Sequence, residues 1–181
     1  QVTRWLTLAL APLLLLVSLG TTSATHVFTF RSHDLATKGY VNVCGVADSD
    51  AALFWGAIQP WVDAGFGARV NCQDADVTVE YGRDGNSWWV AFVKFGPNWV
   101  PDGQGWAFDN AIIHINLDRF NSLSPWSKEL VYAHEFGHIV GLQDHATWCP
   151  LCYRWIMSYQ WQVNRPAPEE LQAARSRYPS Y

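Results

Sequence analysis

Between Asp48 and Ala64 the apolar residues Ala51, Phe54, Trp55, Ile58, Trp61 and Val62 recur at spacings of three and four. That period predicts a helix with one buried face, capped by Asp48 or Ser49. Asp76 to Tyr81, DVTVEY, alternates Val77, Val79 and Tyr81 with polar neighbours and predicts a half-buried strand. Arg83-Asp84-Gly85-Asn86 is a turn signal, and Trp88 to Phe95 reads as a second strand, so the two strands are expected to form a hairpin. Upstream, Val27 to Phe30 and Tyr40 to Val43 are β-branched and aromatic, and either suits the first strand of a sheet. Gly96 to Gly105, with two Pro and three Gly, reads as a loop, followed by a short strand at Trp106 to Phe108 and a longer one at Ala111 to Leu117. Ser124-Pro125 places a capping residue and a first-turn proline at the start of another helix. A last helix runs from Pro168 to Tyr178, with acids at its start and Arg175 and Arg177 near its end, as the helix dipole favours.

The helix opened by Ser124 carries the chemistry. His134 and His138 stand one helical turn apart and aim two imidazoles at one point. Glu135 lies beside the first histidine, close enough to act as general base on a metal-bound water without being a ligand. Gly141 suits a positive φ where the chain leaves the helix, and Asp144 and His145 follow at the distance a third ligand needs. Zinc is the metal this donor set suits. Asp144 is the expected third ligand, and His145 is the alternative. With Asp144 bound, His145 is either a solvent-exposed loop residue or a support or transient ligand.

Composition narrows the setting. Residues 1–24 have Arg4 as their sole charge, an apolar run from Leu6 to Leu19 and small residues at Thr22-Ser23-Ala24, which reads as a secretory signal peptide. The remainder, 25–181, is the length of one domain. It holds sixteen acidic and eleven basic side chains, near −5 with histidine neutral. That balance argues against nucleic acid or an anionic membrane as partner. A secreted monomer without a membrane anchor is expected. Four cysteines in an exported chain suggest two disulfides; of three pairings we expect Cys44 with Cys72 and Cys149 with Cys152.

The stretch Lys128 to His145, KELVYAHEFGHIVGLQDH, resembles the metzincin clan of zinc endopeptidases. Its signature H-E-x-x-H-x-x-G-x-x-H is met at His134, Glu135, His138 and Gly141 and departs at Asp144, where the snapalysin-like small secreted proteases also place Asp followed by His. HEFGH followed by GL is similar to the matrixins. Ile156-Met157-Ser158-Tyr159 resembles the clan's Met-turn, which implies that Met157 forms an apolar floor under the metal. Tyr159 matches the tyrosine that astacin-like and serralysin-like members hold near zinc, where it would stabilise an oxyanion; a core tyrosine is the other reading. The order of elements resembles the matrixin catalytic domain over nearly all of 25–181. This implies an α+β fold, a twisted mixed β-sheet with a zinc-binding helix, Met-turn and C-terminal helix, and an endopeptidase acting on protein or peptide.

Other residues sit beside that reading. Cys44-Gly45-Val46-Ala47-Asp48 is similar to the matrixin cysteine switch, but Val43 and Ala47 replace the usual Arg and Pro. His114 lies in an apolar strand without the loop partners of a structural zinc, and no loop motif supports structural calcium at Asp102 or Asp109. Trp88, Trp89, Trp99 and Trp106 are candidates to line a cleft, with substrate added as a strand near Trp106 to Phe108. The alternative function is a zinc-stabilised, tryptophan-rich module that binds polysaccharide or cell wall.

Overall fold

The structure is a computed structural model and describes residues 30–85, 87–101, 106–145, 154–158 and 163–178. In chain order its elements are β1 (Phe30–Ser32), α1 (His33–Lys38), β2 (Tyr40–Cys44), α2 (Ala51–Asp63), β3 (Gly67–Val70), β4 (Val77–Gly82), β5 (Ala91–Phe95), β6 (Trp99–Pro101), β7 (Trp106–Phe108), β8 (Ala111–Asn116), α3 (Leu117–Phe120), α4 (Pro125–Ile139) and α5 (Pro168–Ser176). The fold is α+β with two mixed sheets.

The larger sheet has the order β3-β2-β4-β8-β5, parallel except for β5, which runs antiparallel to β8. The expected hairpin between β4 and β5 does not form, because β8 lies between them, paired with β4 from Val77↔Ala111 to Gly82↔Asn116. The physical reason is burial. Ala111, Ile113 and Ile115 of β8 are all buried, as a central strand requires, whereas Phe92 and Lys94 alternate outward on β5 and suit an edge. The smaller sheet has the order β1-β7-β6. Its β6 falls inside the stretch read as loop, and Pro101 is tolerated because β6 is an edge strand.

Three other elements were not foreseen, among them α3, one turn that Asn116 caps by accepting from Asp118 N at 3.1 Å. α1 is a short helix that Ser32 caps by accepting from Leu35 N at 3.3 Å and that Gly39 ends with φ 77°. β3 shows no alternation because it is an exposed edge strand, ending at Arg69 and Val70 on the surface.

α2 lays Phe54, Ile58 and Trp61 against α4, and Trp61 Nε1 donates to Ala133 O at 3.0 Å. Its cap is Asp50 rather than Asp48 or Ser49, and the Asp50 carboxylate pairs with Lys128 Nζ at 3.7 Å instead of bonding a first-turn N–H. α4 begins as expected, with Ser124 accepting from Ser127 N at 3.1 Å and Pro125 in its first turn.

Cys44 and Cys72 form a disulfide across a sequence separation of 28, with Cα atoms 4.9 Å apart. The Cys44 thiol is thereby consumed, so it is no inhibitory switch. Cys149 and Cys152 lie outside the described residues, as do residues 1–24. Among the described residues no helix is long and apolar enough to cross a membrane.

Candidate metal centre

Helical spacing puts His134 and His138 on one face of α4, with ring centroids 4.9 Å apart and planes at 89°. Gly141 adopts φ 94° just beyond the helix and turns the chain back, which brings Asp144 Oδ1 to 3.0 Å from His134 Nε2 and 3.4 Å from His138 Nε2. One ligand atom from each of these three residues lies within 4.8 Å of the others.

The far side of each ring is held by a backbone carbonyl. His134 Nδ1 donates to Ile156 O at 2.8 Å, and His138 Nδ1 donates to Leu142 O at 2.8 Å. A carbonyl only accepts, so the proton belongs on Nδ1 and Nε2 is the atom with a lone pair to offer. The point of convergence demands positive charge. Burial pulls the His134 pKa down, but its bond to Asp144 and the Glu135 charge outweigh this and push it up to about 9. Burial pushes Asp144 up, yet both imidazoles hold its carboxyl well below the usual carboxylate range. A divalent cation satisfies the same demand, and two neutral imidazoles with one carboxylate suit zinc.

Glu135 faces the same space. It is buried, and among the described residues its Oε2 has no hydrogen-bond partner. Burial pushes its pKa up, against the opposing pull of His134 and His138. A desolvated carboxylate oxygen with no partner, beside two imidazoles, marks a place built for a polar occupant.

His145 is not in the convergent group. The expectation of an exposed loop histidine is overturned, because its ring is buried and stacks on Trp155 with centroids 4.0 Å apart, while its backbone N–H donates to Met157 O at 2.8 Å. The turn at Gly141 folds this segment onto the turn containing Met157. Met157 is fully buried directly against Gly137, where an added Cβ would overlap its Sδ. Tyr159 lies outside the described residues.

Glu170 is the residue that sequence reasoning missed. Fully buried on α5, it accepts from Ile156 N at 3.1 Å, Met157 N at 2.9 Å and Ala167 N at 2.8 Å. Burial pushes its pKa up, and the three N–H bonds oppose that shift. Its position in the first turn of α5 was a visible helix-start signal; the contact with the distant Ile156–Met157 turn was not.

A cleft of about 490 Å³ runs past the site. One wall is β5 with the preceding Trp88, Trp89 and Val90, and the other is Val131, His134, Glu135, His138 and Asp144. Trp88 is 82% exposed. Trp99 is not part of this lining, and the Trp106 side chain lies outside what the structure describes. His114 is held elsewhere, its Nε2 2.9 Å from Asp84 Oδ2 and its ring stacked on Phe92. Among the described residues neither His114 nor Asp109 joins a cluster of three metal-competent groups, and Asp102 lies outside them.

No family model matches this sequence, and no curated protein matches it. Among solved structures the chain is similar to one described as "GM1 bound form of the ECX AB5 holotoxin", with a TM-score of 0.52 and 12% identity, covering 82% of this chain and 83% of that one. At that identity the likeness is one of fold.

Proposed function

We propose that this chain is a secreted, metzincin-like zinc endopeptidase. The observation that carries the reading is the convergence of two tautomer-locked Nε2 atoms and the Asp144 carboxylate beside the buried Glu135, whose Oε2 has no hydrogen-bond partner among the described residues. His134, His138 and Asp144 would hold the ion, and zinc bound there supplies a Lewis acid and a water acidified toward neutral pH.

The remaining work falls to the chain's own side chains and backbone. Glu135 takes the proton of the attacking water on Oε2 and returns it to the departing amine nitrogen. Its burial in the cleft wall limits the access of bulk water to that proton. Substrate docks as an extended strand on β5, the terminal strand of the larger sheet and one wall of the cleft. The strand at Trp106–Phe108 cannot serve, since β7 is the middle of its sheet, flanked by β1 and β6. The leader-like segment, the disulfide and the acidic balance support an extracellular setting.

Glu135→Gln is the deciding variant. It should keep zinc in near-stoichiometric amount and lose casein hydrolysis by about 10²- to 10⁴-fold. Hydrolysis at the wild-type rate would overturn the assignment. The exposure of Trp88 favours a second reading, a binding module for polysaccharide. Cell-wall retention that persists after zinc removal and after Glu135→Gln, with no hydrolysis by the wild type, would establish that reading instead.

A further inference from the structure

The peptide unit joining Ile156 to Met157 is held at both ends. Its carbonyl accepts from His134 Nδ1 at 2.8 Å, and its N–H donates to Glu170 Oε1 at 2.9 Å. The other carboxylate oxygen takes two further backbone N–H groups, from Ile156 at 3.1 Å and Ala167 at 2.8 Å. Three donors converge on this carboxylate inside the protein, where it is fully buried. The arrangement suits the ionised form, which only accepts.

From this geometry we infer that Glu170 is a positioning residue for the metal centre, acting on His134 through the Ile156–Met157 peptide group. This rests on the reading of His134 as a metal ligand. Histidine ligands are commonly supported by a carboxylate bonded directly to the second ring nitrogen, which orients the ring and raises its basicity. Here an amide stands between carboxylate and imidazole. A negative charge at the N–H end of an amide polarises it and makes its carbonyl oxygen a stronger acceptor. The stronger acceptor holds the proton on His134 Nδ1 and leaves Nε2 richer in electron density toward the cation. His138 Nδ1 donates instead to Leu142 O at 2.8 Å, in the turn that follows α4.

The same carboxylate serves structure, because it ties the turn containing Met157 to α5. The test must therefore separate orientation of the ligand from docking of the helix. Glu170→Gln removes the charge, Glu170→Asp keeps it on a shorter stem, and Ala174→Gly loosens the buried face of α5 without touching the relay. Zinc affinity is measured by competition with a chromophoric chelator. The His134 ring is followed in the metal-free protein by its Nδ1 nitrogen and proton resonances.

Glu170→Gln should weaken zinc binding about 10- to 100-fold and shift the Nδ1 resonances. Glu170→Asp should recover part of both, and Ala174→Gly should leave both near wild type even where its loss of thermal stability is equal. The inference is overturned if Glu170→Gln and Ala174→Gly of matched stability bind zinc alike and show the same ring resonances. Should Glu170→Gln fail to fold, a folded Glu170→Asp with unaltered affinity and ring resonances overturns it equally. A wild-type chain that binds no zinc would instead sink the endopeptidase reading, and the ring resonances would still decide whether Glu170 acts on His134.

Discussion

At the scale of single residues, the candidate site depends on how little freedom its members have. His134 and His138 each have one nitrogen committed to a carbonyl, so the other is fixed in role before any cation arrives. Gly137 is just as constrained. It sits on the buried side of α4 against Met157 and Trp61, where a methyl group has no room. Gly137→Ala should cost about 1 to 3 kcal/mol despite its gain in helix propensity, because overpacking outweighs the roughly 1 kcal/mol that alanine adds in a helix. A denaturant melt showing a more stable variant would contradict this. Asp144→Asn keeps the shape and removes the charge. It should lower zinc affinity by at least tenfold, read by chelator competition, while Glu135→Gln leaves affinity within a few-fold. The placement of these residues was largely legible beforehand, since a turn of helix and one tight bend set their spacing. His145 was not, because nothing local shows that its loop folds down onto Trp155.

At the scale of elements, the strands were found more reliably than their partners. Alternation identified β4 and β8, yet the adjacency of β4 and β5 in the chain suggested a hairpin that β8 interrupts. The element boundary between α1, β2 and β4 also holds a titrating pair. Asp76 Oδ2 accepts from Asn42 N at 2.7 Å, and Asp34 lies beside Lys38 Nζ at 2.9 Å. Burial, together with the neighbouring Asp34 carboxyl, pushes Asp76 up to about 7. Burial also acts to raise Asp34, but its bonds to Asp76 and Lys38 win and hold it below its ordinary value. The folded state therefore keeps a proton on Asp76 that the unfolded chain, with a pKa of about 4, releases earlier. The associated stability is full below about pH 4 and is lost as pH rises through about 7. Asp34 has the opposite sign, and its contribution fades only on acidification below about pH 4. Asp76→Asn, which still accepts from Asn42 and donates to Asp34, should flatten the fall in melting temperature between about pH 5 and pH 8. Equal slopes in variant and wild type would refute the shared proton.

At the scale of the whole molecule, the site is assembled from parts far apart in sequence. α4 supplies two imidazoles, the segment after Gly141 the carboxylate, the Met157 turn the carbonyl that holds His134, α5 the buried Glu170, and β5 the opposite cleft wall. The Cys44–Cys72 link closes the β2–β3 end of the sheet, and on the chain-entropy model its replacement by serines should cost about 3 to 4 kcal/mol. Urea melts with and without reductant measure that loss, and a change below about 1 kcal/mol would count against it. Zinc should raise the melting temperature of the wild type in proportion to its binding, and a chelator should reverse the rise.

The sequence alone determined which residues make up the candidate site and their local geometry. The placement of His134, Glu135, His138, Gly141 and Asp144 needs only the helical repeat and one positive φ, both of which act over a few residues. The tertiary structure decided everything that depends on who meets whom across the chain: which strand walls the cleft, why His145 is buried, and which carboxylate stands behind the Met157 turn. Those outcomes follow from the burial of apolar faces, a property of the whole packed chain that no short stretch carries.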